Sequence, residues 1–104
     1  MTNLVDRTRE FSLRVIRLVS ALPDTRIGWR LGDQLLRSGT SPGAHFREAL
    51  RARSKAEYVA KPLYWLELIE GANLMTSKKL ESIRTETNDL IAIFVSLIKK
   101  WRGK

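Results

Sequence analysis

Hydrophobic positions recur along the whole chain at helical spacings. Leu4, Thr8, Phe11, Val15, Leu18 and Leu22 follow at steps of 4, 3, 4, 3 and 4, which puts them on one helix face. This stripe, widened by Val19, predicts a first helix over about residues 3–21. Glu10 and Arg14 form an i,i+4 pair on its wet side. Leu22-Pro23-Asp24 ends it, because proline lacks the backbone donor and restricts the residue before it.

Asp24 or Thr25 can cap a second helix. Ile27, Leu31 and Leu35 recur every fourth residue, and Ser38, Phe46 and Ala49 continue the line. Gly28 and Gly32 each lower helix propensity by up to about 1 kcal/mol, and small residues one turn apart allow a neighbouring backbone close. Gly39-Thr-Ser-Pro-Gly43 interrupts the pattern, yet the apolar phase resumes after it. One kinked helix over about residues 26–52 is therefore predicted. Ser54-Lys-Ala-Glu57 has the form of a capping box that opens the third helix. Tyr58, Val59, Leu63, Trp65, Leu66, Ile69 and Ala72 form its broad apolar face, Pro62 should kink it, and Leu74–Ser77 form the last turn and loop.

A fourth helix is predicted over about residues 78–101. Leu80, Ile83, Thr87, Leu90, Phe94, Leu97 and Trp101 form one stripe. Ile91, Val95 and Ile98 form a second beside it. A helix at the edge of a monomeric bundle needs only about a 100° apolar stripe. The surplus predicts burial against another subunit through Ile91, Val95 and Ile98. Trp29, Trp65 and Trp101 fall on or near these stripes, where packing in a core or interface is favoured over base stacking. No strand pattern appears. The expected fold is all-α: one domain over residues 1–104, an antiparallel up-and-down four-helix bundle.

Composition narrows the function classes. Hydrophobic residues make up 43% and charged residues 29%, a globular rather than a disordered mix. The absence of cysteine excludes disulfides and thiolate metal sites and agrees with a reducing compartment. No basic segment followed by an apolar core opens the chain, and no apolar run approaches the roughly 20 residues that span a bilayer. The cytoplasm of a bacterium-like cell is the expected location, with no membrane partner. The net charge of +8 is spread over both halves and favours polyanionic partners, RNA or DNA.

Within that charge, Arg37, Arg47, Arg51, Arg53 and Lys55 are the candidate nucleic-acid contacts. Arg47 and Arg51 share a face despite mild like-charge repulsion, and arginine suits bidentate phosphate contacts. The competing reading is a solvated face with Asp33–Arg37 and Glu48–Arg51 pairs. Catalytic chemistry lacks its parts. His45 and Glu48 lie three apart, but a carboxylate-bridged metal bundle needs paired Glu-x-x-His motifs and further glutamates. One histidine among several serines does not make a triad, and no Gly-rich loop follows a strand. No catalytic residue, metal or cofactor is expected, and the chain is read as a non-enzyme.

The run Gln34-Leu-Leu-Arg-Ser-Gly-Thr-Ser-Pro-Gly-Ala-His-Phe-Arg-Glu-Ala49 resembles the signature of bacterial four-helix bundle proteins often labelled 23S ribosomal RNA intervening-sequence proteins. The accessory variability proteins of diversity-generating retroelements share that fold. Tyr64-Trp-Leu-Glu-Leu68 and Asn88–Leu97 resemble the family's third and fourth helices. The resemblance implies a non-enzymatic homopentamer. It also implies, as in the retroelement relatives, binding of nucleic acid and a reverse transcriptase through basic surface. His45 stands where members usually carry asparagine. About three turns are missing before Tyr64-Trp65, which implies a shortened third helix whose apolar phase survives, three turns being close to a whole number. The reading is thus an oligomeric bundle that binds nucleic acid without catalysis. Its competitor is a structural or adaptor module for a protein partner.

Overall fold

A computed structural model describes residues 4–44 and 57–102, and every structural statement below concerns these. They form four helices, α1 (Leu4–Ser20), α2 (Arg26–Ala44), α3 (Glu57–Gly71) and α4 (Ser77–Arg102). The third is the shortest, 15 residues against 17, 19 and 26. The connection between α2 and α3, with the expected Ser54 cap, lies outside the described residues.

Residue pairings between helices give their directions. Positions along α2 meet α1 in reverse order, Gly32 against Val19 and Gly39 against Val15. Arg7 and Arg14 of α1 meet Glu86 and Ser82 of α4. Glu70, near the end of α3, meets Ser77 at the start of α4 and Arg84 one further stretch along. These antiparallel pairings, with packing of α2 on α3, give an up-and-down four-helix bundle closed by α1 and α4.

Local chemistry sets the helix ends. α1 closes with short-range bonds from the Ala21 and Leu22 amides to the Leu18 and Val19 carbonyls, 3.0 and 3.2 Å. Of the two candidate caps on α2, Thr25 does the work: its Oγ1 accepts from the Gly28 amide at 3.0 Å, worth about 1 kcal/mol. Thr76 caps α4 in the same way through the Lys79 amide. α3 ends at Gly71 rather than running on through Ala72. Asn73 takes a left-handed φ of 58°. The Leu74 amide reaches back to the Ile69 carbonyl at 3.1 Å and the Asn73 amide to that of Glu70 at 3.0 Å, the paired bonds of a Schellman C-cap. Asparagine, second only to glycine in tolerating this conformation, fills the left-handed position. α2 stays helical through Gly39-Thr-Ser-Pro-Gly43. Pro62 lies inside α3 with its ring fully buried.

The core is built from Phe11 and Val15 of α1, Leu35 of α2, Leu66 and Ile69 of α3, and Leu80, Ile83, Leu90 and Phe94 of α4. Burial of each large side chain contributes about 1.5–3 kcal/mol. The α1 stripe and the α4 stripe through Phe94 are as expected from the sequence, including the buried threonines, and the side chain of Trp101 lies outside the described ones. Thr8 Oγ1 donates toward the Leu4 and Val5 carbonyls and Thr87 Oγ1 to that of Ile83 at 2.7 Å, so neither buried hydroxyl lacks a partner.

α2 keeps its predicted stripe at Leu35 and Ser38, both buried, and at Leu31, which packs on the core, and departs from it at Ile27. Ile27 is 54% exposed and Trp29 67% exposed. Toward α1 the helix presents Gly32 and Gly39, which like Gly28 are buried. A Cβ on Gly28 would meet the Pro23 carbonyl oxygen, and one on Gly32 would meet Val19 and Leu22 at 3.1 and 3.2 Å. Gly32 and Gly39 let α1 approach closely, while Ile27 and Trp29 are turned outward. Arg14 also differs from expectation: its guanidinium donates across the bundle to Ser82 Oγ at 2.8 Å rather than along α1 to Glu10.

Candidate nucleic-acid interface

Of the five expected phosphate contacts, Arg37 is described; Arg47, Arg51, Arg53 and Lys55 lie outside the described residues. Arg37 is exposed on α2 and is itself engaged in a contact. Arg26 and Arg30, also exposed, precede it at steps of four and seven residues, which places all three along one outer face of the helix. Asp33 shares that face. Between residues 26 and 55 the chain carries seven bases and two acids, so most of the net charge falls on this third of it.

Helix electrostatics do not explain the placement. α2 has no acidic residue in its first turn and opens on Arg26 at the positive end of its own dipole, where a cation is mildly unfavourable. Arg26 and Arg30 are also like charges one turn apart. Cations kept at unfavourable helix positions answer to something other than the helix.

A second cationic feature was not read from the sequence. Arg14 and Arg17 of α1 and Lys79 of α4 line one groove, floored by Leu18, Met75 and Ile83. It lies where the α1–α2 and α3–α4 turns come together, beside a depression lined by Ala21, Leu74 and Thr76. No carboxylate lines it. The neighbouring groove along α1 and α4 is mixed, with Glu81, Glu86 and Asp89 set against Arg14 and Lys78, and does not favour an anion. Arg7 there is committed to Glu86. Its Nε and Nη2 donate to the two carboxylate oxygens at 3.0 and 2.9 Å. That hydrogen bond, with the nearby charges of Glu86 and Asp89, raises the guanidinium pKa above its ordinary value.

Of the expected interface residues on α4, two stand partly covered within one chain, and the side chain of Ile98 lies outside the described ones. Ile91 packs against the core and Val95 is half-buried. Among the described residues no group of three His, Cys, Asp or Glu could hold a metal ion, and His45 and Glu48 lie outside them. No described helix is long and apolar enough to cross a membrane. Trp65, half-buried, meets Tyr64 edge to face at 5.1 Å between ring centroids.

The fold and its outward arginine row define a small antiparallel four-helix bundle with a basic outer face. Its backbone is similar to that of a protein of unknown function from the S23 ribosomal protein family of Bacteroides thetaiotaomicron. That protein is 30% identical, with a TM-score of 0.80, the match covering 93% of this chain and 99% of the other. The chain belongs to the S23 ribosomal protein family. No protein-family profile matches it, and no curated protein does so.

Proposed function

We propose that this protein is a non-enzymatic, oligomeric helical bundle of the cytoplasm that binds RNA or DNA through its basic surface. The observation that carries the reading is the exposed row Arg26–Arg30–Arg37, whose first two members stand at helix positions that helix stability disfavours. The expected contacts Arg47, Arg51, Arg53 and Lys55 follow it in the chain. The family name of the similar protein includes a ribosomal protein, which favours RNA. Assembly through Ile91, Val95 and Ile98, with five subunits as the family resemblance implies, repeats the row on each subunit and sums weak contacts by avidity. A role beside a ribosomal RNA insertion or a retroelement reverse transcriptase belongs to the same reading.

Phosphate contacts release counterions, so affinity falls steeply with salt and depends little on sequence. The test is a titration of structured RNA and duplex DNA at several salt concentrations. It compares wild type with two double variants, Arg26→Ala/Arg30→Ala and Arg47→Ala/Arg51→Ala. Each lost phosphate contact flattens the log–log slope by roughly 0.9 for duplex DNA. Unchanged affinity and slope in both folded variants would show a merely solvated face.

A second reading, an adaptor for a protein partner, is favoured by Val5, Leu13 and Ile16, exposed apolar residues on the outer side of α1. It takes over if wild type binds neither polymer near physiological salt.

A further inference from the structure

We propose that Trp29 is a stacking platform for a base of single-stranded nucleic acid, with Arg26 and Arg30 holding the adjoining phosphates. The inference rests on the nucleic-acid reading above and assigns it a site and a strand form.

Three observations converge on α2. Trp29 is 67% exposed, the most exposed of the large apolar residues described. Its indole N–H is not spent on solvent: Nε1 donates to Asp24 Oδ1 at 2.7 Å. That bond ties the ring to the turn just before the helix, so one edge is held while most of the side chain stays open. A rigid, exposed aromatic face loses little conformational entropy when a base stacks on it, and every base offers a π-face, which makes such contacts tolerant of sequence.

The third observation is the company it keeps. At 3.6 residues per turn, Arg26 is the helix-surface neighbour of both Trp29 and Arg30. The ring therefore borders the arginine row. Asp33, one turn on, is the one acid on that face, and Asp24 has its Oδ1 engaged by the indole.

A hydrophobic partner is a poorer match. Ile27, the other exposed apolar residue of α2, sits about 160° round the helix from Trp29. The two cannot form one apolar patch, whereas an aromatic ring with Arg26 one turn before it, on the edge of an arginine row, matches a base joined to its phosphates.

The experiment measures binding of a 20-mer oligo(dT) and oligo(U), an abasic phosphodiester of equal length, and duplex DNA. Wild type is compared with Trp29→Ala, Trp29→Phe and Arg26→Ala/Arg30→Ala, and the mass of each is followed by light scattering. Trp29→Ala is expected to weaken both oligonucleotides by about 5- to 150-fold. It should leave the abasic strand and the duplex unchanged. Its salt slope should match wild type, because stacking carries no charge. Trp29→Phe should recover most of the loss. The arginine variant should flatten the slope by roughly 0.7 per lost contact on single strands.

If Trp29→Ala binds the oligonucleotides as wild type does, the platform is wrong while nucleic-acid binding stands. If Trp29→Ala changes the oligomer mass and weakens the abasic strand equally, the ring is a subunit contact and the platform is again wrong. If wild type binds none of the probes, the platform and the nucleic-acid reading fall together.

Discussion

Val15 of α1 and Gly39 of α2 meet so closely that a Cβ placed on Gly39 would stand 2.8 Å from Val15 Cγ2 and 2.9 Å from Cγ1. Val15 is fully buried and, being β-branched, is stiff at χ1, so it cannot swing away cheaply. No described glycine has a positive φ, so the backbone would accept alanine. Alanine's helix propensity would return up to about 1 kcal/mol, but overpacking costs about 1–3 kcal/mol. Gly39→Ala should therefore lower stability by up to about 2 kcal/mol. Gly71 is the control, since a Cβ there would meet nothing within 4 Å. Gly71→Ala should stabilise by about 0.4–1 kcal/mol. Urea unfolding of the two variants reads the sign directly.

The ion pair of Arg7 with Glu86 joins the first helix to the last. Side-chain exposures of 33% and 19% leave it partly screened. Glu86→Gln should cost about 0.5–1 kcal/mol, a difference that shrinks in high salt. The raised guanidinium pKa fixes the sign of any pH effect. A raised value means a contribution fully present below the ordinary arginine pKa and lost only as pH rises through the higher folded one. Unfolding at about pH 7 and about pH 9 should give the same cost for the variant; a cost that vanished at the higher value would contradict this account of Arg7.

Asn73 sets the exit from α3. At φ 58° glycine is comfortable and a β-branched residue is not. Asn73→Gly should be close to neutral, whereas Asn73→Val should lose about 1–2 kcal/mol. Thermal melts of the pair check it, and equal melting temperatures would mean that the turn relaxes into another conformation.

Assembly is tested on α4. Light scattering of wild type at micromolar concentration should give an oligomer mass, five subunits by the family resemblance. Val95→Lys, with its charge placed at the half-buried edge of the helix, should lower that mass while circular dichroism stays helical. A monomeric wild type overturns the interface at Ile91, Val95 and Ile98; a dimer or tetramer overturns only the number five.

Much of this protein is determined by its sequence alone. The stripes Thr8–Phe11–Val15 and Leu80–Ile83–Thr87–Leu90–Phe94 are legible because large side chains at helical spacing have to be buried, whatever covers them. Pro23 and Thr25 likewise announce the end of one helix and the cap of the next through local chemistry. The tertiary structure decided what depends on a distant partner. Gly32 and Gly39 form the face toward α1 because the volume their missing side chains leave is filled by Val19 and Val15. Periodicity weighs residue size, so it pointed to Ile27 and could not see a contact made by absent atoms. Turning that face inward is what leaves Trp29 outside. The groove of Arg14, Arg17 and Lys79 arises in the same way: more than sixty positions separate Arg17 from Lys79 along the chain, and only the antiparallel return of α4 beside α1 brings their charges together.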